Sequence, residues 1–202
     1  MIRKLVLNLL IGVVVAGSAA GQQGAAPAMA AAPAAAASTP DFRADLTRQI
    51  DVVGEKTVGL AVATPEEKYS WRPAEGVRSA GEVFLHMAIA NFLVASWAGN
   101  PVPSDVDLRK LEKSNPGKEK TVAILKRSFE RLHQGVANTS EASLGKTINM
   151  FGKPSTLQNA LLTMSMHSSE HLGQAIAYAR SSGVVPPWSE KKDTGGKAPP
   201  KP

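Results

Sequence analysis

Apolar residues recur three and four positions apart along four stretches of the chain, each bounded by helix start or stop signals. From about Asp41 to Ala63, Phe42, Leu46, Ile50, Val53, Thr57 and Leu60 fall on one helical face. The second stretch opens at Ser79-Ala80-Gly81-Glu82, a pattern in which the serine and glutamate side chains each satisfy the other's free backbone amide. It continues through Val83, His86, Ile89, Ala90, Leu93 and Trp97, a stripe expected to face inward, and stops at Gly99-Asn100-Pro101. A third stripe, Val122, Leu125, Phe129, Leu132 and Val136, predicts a helix over about 118–137. The fourth opens after Pro154 at a second capping pattern, Ser155-Thr156-Leu157-Gln158, and runs to about Ser181. Gly183 and Pro186-Pro187 end it. Nothing alternates over enough residues to argue for a sheet, and only 146–151 reads as a short extended piece. Four amphipathic helices joined by loops of uneven length make an all-α, four-helix bundle.

The flanks read differently. In residues 1–20, Arg3 and Lys4 precede the apolar run LVLNLLIGVVVAG, and Ser18-Ala19-Ala20 supplies small residues for cleavage. That is the pattern of a secretory signal peptide, and the run is short for a membrane span. The expectation is a periplasmic or secreted chain with no stable membrane anchor after signal cleavage. The sequence contains no cysteine, so neither a disulfide nor a lipoprotein anchor is available. Residues 21–40 are Ala- and Pro-rich and uncharged, the composition of a flexible linker. The tail, 189–202, has a solvated, disordered composition. One ordinary domain, 41–188, remains.

Charge changes the picture once it is divided in the same way. The whole chain carries a formal +6, but 41–188 holds 17 Lys and Arg against 15 Asp and Glu. A near-neutral domain with scattered charges is a solvated surface rather than a phosphate-tracking patch, which argues against nucleic-acid binding.

The candidate chemistry lies in the four histidines. Four residues turn a helix by about 400°, so His167 and His171 project from one face, one turn apart. They continue the stripe Leu157, Ala160, Leu161 and Met164, which leads on to Gln174 and Tyr178. His86 lies on the expected inward stripe of the second helix, whereas His133 lies beside the stripe of the third. A lone inward histidine is ordinarily a hydrogen-bonded core residue. Three buried neutral imidazoles rarely find enough protein acceptors, and a divalent metal satisfies them together. Three histidines with an open fourth position form the ligand set of a catalytic zinc site.

The order Trp71-Arg72-Pro73, Ser79-x-Gly81-Glu82-x-x-x-His86, His167-x-x-Glu170-His171-x-Gly173-Gln174, Tyr178-x-Arg180 and Gly183-x-x-Pro186-Pro187 resembles the DinB-like (DinB/YfiT) superfamily. The resemblance spans nearly all of 41–188. It implies an up-down-down-up bundle, often a homodimer, with a metal held by His86, His167 and His171. The implied cofactor is a divalent transition metal, zinc or nickel, and the implied partner is a small-molecule substrate. Family activities include thiol-dependent S-transfer and a mycothiol-dependent isomerisation; those thiols are cytosolic, which sets them apart from an exported chain.

Glu170, between the two histidines, is the candidate general base or the carboxylate behind a ligand, and Gln174 the candidate for orienting a bound water. As alternatives, Glu170 is an exposed helix residue or one half of an ordinary salt bridge, and Gln174 caps a buried carbonyl or packs against a neighbouring helix. Tyr178 and Arg180 are placed to line an entrance, and Trp71 to plug the bundle end. The string His-x-x-Glu-His is also the inverzincin protease signature. That reading leaves His86 unexplained and needs a much larger domain. Two functional readings follow: a metal-dependent hydrolase or transferase, or a non-catalytic metal- or ligand-binding and dimerisation module.

Overall fold

The computed structural model describes residues 41–190. The expected signal peptide, the linker and residues 191–202 of the tail lie outside the described residues. Four long helices form the bundle: α1 (Phe42–Ala63), α2 (Ala80–Trp97), α3 (Lys118–Asn138) and α5 (Leu157–Ser181). Between α3 and α5 come a single turn, α4 (Glu141–Leu144), and a hairpin of β1 (Thr147–Met150) and β2 (Lys153–Thr156). Helices α3 and α5 each pack against both α1 and α2. The bundle therefore has four seams, and the one between α2 and α5 carries the histidines.

Local chemistry explains the helix starts. The Asp41 carboxylate accepts from the Arg43 and Ala44 amides and opens α1. At α2 both arms of the capping box form: Ser79 Oγ accepts from the Glu82 amide at 3.3 Å, and Glu82 Oε2 accepts from the Ser79 amide at 2.7 Å. The stripes of α1 and α3 pack as the period predicts. Leu46, Ile50, Leu60, Leu125, Leu132 and Val136 are buried, together with Phe84, Met87, Phe92 and Leu161 from the other two helices. Truncating one of these leucines to alanine removes about 2–5 kcal/mol.

Three sequence expectations are corrected. First, of its predicted stripe α2 turns only Val83 to the centre of the bundle. Phe84, Leu85, Met87, Ala88, Phe92 and Ala95 are buried, whereas His86, Ile89, Ala90 and Leu93 are half-buried along the α5 seam. A helix that is apolar nearly all round gives a weak periodic signal, so its period could not choose between the two faces.

Second, the cap of α5 is Thr156, whose side chain accepts from the Asn159 amide, and the Ser155–Gln158 box does not form. Ser155 belongs to β2 instead, paired with Ile148. Third, the extended piece at 146–151 is the first half of a two-stranded hairpin. Its turn, Phe151-Gly152, places both residues at positive φ (54° and 84°), as a two-residue primed hairpin turn requires. The Asn149 side chain accepts from the Gly152 amide at 2.8 Å and stabilises it. A phenylalanine at positive φ and a proline inside β2 hid this hairpin from pattern reading.

At the C-terminal end, the tail expected from Ser189 starts inside the last 3-10 turn, Pro187–Ser189. Lys56 Nζ lies 5.9 Å from the Trp188 ring centre.

Candidate metal centre

His86 leaves α2 two turns after its cap, and His167 and His171 leave the middle of α5 one turn apart. The buried stripe of α5 runs through Met164, Ser168, Leu172, Ala175 and Ala179. His167, His171, Gln174 and Tyr178 occupy its shoulder and are half-buried. The three imidazoles therefore meet in the seam, in reach of solvent, rather than at the centre of the bundle. Their ring centres are 4.4, 4.7 and 5.1 Å apart. One nitrogen from each lies within 4.8 Å of the others. They are the only such histidine or carboxylate cluster among the described residues.

The outer nitrogens fix the rings. His86 Nδ1–H donates to Glu112 Oε2 at 2.9 Å, and a carboxylate can only accept, so the Nε2 lone pair of His86 faces the cluster. His171 Nδ1–H donates to Gln174 Oε1 at 2.7 Å, and Gln174 Nε2 donates to the Tyr178 hydroxyl at 3.0 Å. Two of the three histidines thus carry the outer hydrogen bond that sets the tautomer of a metal ligand.

His86 Nε2 and His167 Nε2 are 3.1 Å apart. With His86 accepting, the His167 N–H must donate, which leaves His167 Nδ1 as a buried nitrogen with no partner. The cluster cannot satisfy itself.

Glu112 was not visible to sequence reading. It lies on a short 3-10 turn, Leu111–Lys113, in the long connection between α2 and α3. Leu111 is buried and anchors that turn. Lys113 donates to Glu82 at 2.9 Å, tying the turn to the cap of α2. Arg78 clasps the far side of the Glu112 carboxylate, with Nε 2.9 Å from Oε1. No period marks a loop carboxylate; the available signal was the length of the connection, since long loops in compact domains usually carry function.

The electrostatics disfavour a proton on two of the imidazoles, His86 and His167. Burial, with the neighbouring His171 and His86, pulls the His167 imidazolium down to about 4. Burial also lowers His86, more strongly than the Glu112 hydrogen bond raises it. Burial would raise Glu112, but the hydrogen bonds from Arg78 and His86 outweigh it and hold the carboxyl below the usual range. Neutral imidazoles backed by an ionised carboxylate are what a divalent cation requires. With metal–nitrogen bonds of about 2.0–2.1 Å, tetrahedral ligands sit roughly 3.3 Å apart, close to the His86–His167 spacing. The donor set fits zinc or a similar metal.

The other predicted residues lie as follows. Gln174 touches His171 rather than open space. Glu170 is on the exposed side of α5, and its carboxylate makes no hydrogen bond or ion pair among the described residues; the carboxylate at the cluster is that of Glu112. His133 is remote from the three and donates from Nδ1 to Asp51 at 2.7 Å. Trp71 packs edge-on against Tyr178, with ring centres 5.4 Å apart, and Arg180 is exposed.

A family model described as "DinB superfamily" matches residues 49–175. No curated protein matched the sequence. Among solved structures, a DinB-like protein from Bacillus cereus ATCC 10987 is 18% identical with a TM-score of 0.60, over 70% of this chain and 93% of that one. A DinB-like protein from Bacillus subtilis is 19% identical with a TM-score of 0.55, over 70% and 94%. A conserved protein from Enterococcus faecalis is 16% identical with a TM-score of 0.56, over 70% and 97%. At these identities the likeness speaks for the fold alone.

Proposed function

The chain belongs to the DinB superfamily, and on that premise we propose that it is a metal-dependent hydrolase or transferase of small molecules, with zinc or nickel on His86, His167 and His171. The observation that carries this reading is the turning of the rings: Glu112 and Gln174 occupy the outer nitrogens of His86 and His171, so their inner lone pairs face His167. A divalent metal held there would act as a Lewis acid toward a substrate oxygen or sulfur and lower the pKa of a water or thiol. Glu112 and Gln174 hold the imidazoles in register, and Arg78 keeps Glu112 ionised. Tyr178 steadies Gln174 from the end of α5.

The second reading, a binding module without turnover, has one observation in its favour. Both oxygens of Glu112 are already engaged, and no acidic side chain joins the histidines in the cluster among the described residues. We place the protein in the periplasm or outside the cell, on the strength of the 1–20 pattern. A homodimer is supported by Leu162 and Met166, 44% and 74% exposed one turn apart on α5.

Metal analysis of the chain purified without a histidine tag tests the reading. Close to one equivalent of a transition metal, or its uptake on titration, is expected; less than about 0.2 equivalents with no uptake refutes it. Turnover of an ester, amide or thiol-transfer substrate only in the metal-loaded protein decides for the enzyme over the binding module.

A further inference from the structure

Along the same seam, next to the histidines, runs a groove of about 190 Å³. His86 and His167 line it together with Ile89, Leu93, Trp97, Met150, Phe151 and Met164. The lining follows α2 from His86 to Trp97, eleven residues or about 16 Å of helix rise. At the far end the hairpin tip reaches over α2, with the Phe151 and Trp97 ring centres 5.9 Å apart and edge-on. No charged side chain lines the groove.

We propose that this groove binds a neutral, apolar group of about the size of a benzene ring, or slightly longer, belonging to a ligand whose polar head reaches the histidines. The proposal rests on the metal-site reading for the head and stands independently of it for the apolar group.

Three observations select the occupant. Continuity comes first: two of the three imidazoles are themselves walls of the groove, so a group seated there presents its head to the cluster. Size comes second, because a cavity of about 150 Å³ takes up benzene, and this groove offers that volume with some room to spare. Chemistry comes third. With no cation in the lining, a phosphate or carboxylate placed among Ile89, Leu93 and Met164 would lose its hydration without compensation. Two thioethers and two aromatic rings offer a soft lining that adapts to rings and branched chains.

The hairpin accounts for the exposure of Phe151. At positive φ in the turn and 76% exposed, its ring gains no core burial, and its one aromatic neighbour is Trp97 at the groove mouth. The backbone strain of that turn is kept at the mouth of a groove rather than in the core.

Two arms test the proposal. In the metal-free protein, toluene is titrated while the Trp97 indole N–H resonance is followed by NMR, with the assignment made from Trp97→Phe. A saturable shift of Trp97, with Trp71 and Trp188 unmoved, is expected; absence of a shift refutes the groove whatever metal the protein binds. In the zinc-loaded protein, calorimetry compares phenylacetohydroxamate with acetohydroxamate. Burial of the ring should make the phenyl compound tighter by at least about tenfold. Ala90 also lines the groove, so Ala90→Leu, which fills it from α2, should abolish that ratio, with circular dichroism confirming the fold.

Equal affinities in the parent protein refute the connection between groove and histidines. A Trp97 signal that changes with protein concentration, matched by a dimer in sedimentation, assigns the groove to a second copy and refutes the small-ligand assignment. If no transition metal is taken up, the metal-site reading fails and the toluene arm alone decides the groove.

Discussion

Between α1 and α3, His133 meets Asp51 across a groove of about 460 Å³ also lined by Glu55, Lys126 and Glu130. Between α2 and α5, three imidazoles meet beside a cavity less than half that size. In both seams a histidine Nδ1 donates to a carboxylate, at 2.7 and 2.9 Å. What separates them is what faces the second nitrogen. His133 and Asp51 are each nearly half exposed, so water satisfies what they do not, and such a pair contributes about 0–1 kcal/mol. His86 turns its second nitrogen toward two more imidazoles in a half-buried seam that cannot complete their hydrogen bonding. What distinguishes the α2–α5 seam is the convergence of imidazoles that the protein leaves unsatisfied, which the wider groove lacks.

The comparison breaks most decisively at the ligands. His86→Ala, His167→Ala or His171→Ala should each lower zinc affinity by more than about 100-fold, because two imidazoles remain where three are needed. His133→Ala should leave it unchanged. Competition against a zinc chelator measures both; equal losses in the two seams would remove the distinction.

The supporting carboxylates sharpen it next. Glu112→Gln keeps the shape and loses the charge behind His86, and about 10–100-fold in metal affinity should go with it. Asp51→Asn makes the same change in the other seam and should cost the metal nothing. Thermal melts of the two metal-free variants control for stability.

Acidity supplies a third test, in the metal-free protein. The folded His167 titrates at about 4 against an ordinary 6.5, so between those values the unfolded chain binds a proton that the native chain refuses. Stability from this site is therefore fully present above about 6.5 and is lost as the pH falls toward 4. His86, also lowered, adds a loss of the same sign. Glu112, lowered too, gives up its contribution only as the pH falls through its own folded value, beneath the carboxylate range. The melting temperature should drop by a few degrees between pH 7 and 5. His167→Gln should flatten that drop, and a slope unchanged by the substitution would contradict the assignment.

The sequence made the two α5 histidines legible because a helix has a fixed turn: four residues bring His167 and His171 onto one face. It made His86 legible only in part. That histidine lies where expected along the chain, but α2 is apolar nearly all round, so its period could not tell the core face from the seam. Glu112 was out of reach because its position depends on how the connection after Trp97 folds back, through Leu111 and the Lys113–Glu82 pair, and no period records that path. The hairpin was half visible. Residues 146–151 looked extended, while Phe151 and Pro154 concealed the turn and the returning strand. Thr156, the last residue of β2 and paired with Thr147, caps α5 one residue later than expected, because the returning strand runs on through it.

The smallest expected effect concerns the residue that gives the string on α5 its protease look. Glu170 follows His167 by three residues, about 60° to one side of it around the helix, and its side chain faces solvent. It makes no hydrogen bond or ion pair among the described residues, whereas Glu112 arrives from a separate element already bonded to His86. Glu170→Gln should therefore change zinc affinity by less than about twofold, as expected of an isolated surface charge. Measured beside Glu112→Gln in the same chelator competition, it separates a carboxylate close in sequence from one close in space. A loss at Glu170 as large as that at Glu112 would restore the neighbour in sequence as the working carboxylate and leave Glu112 as a tether for its loop.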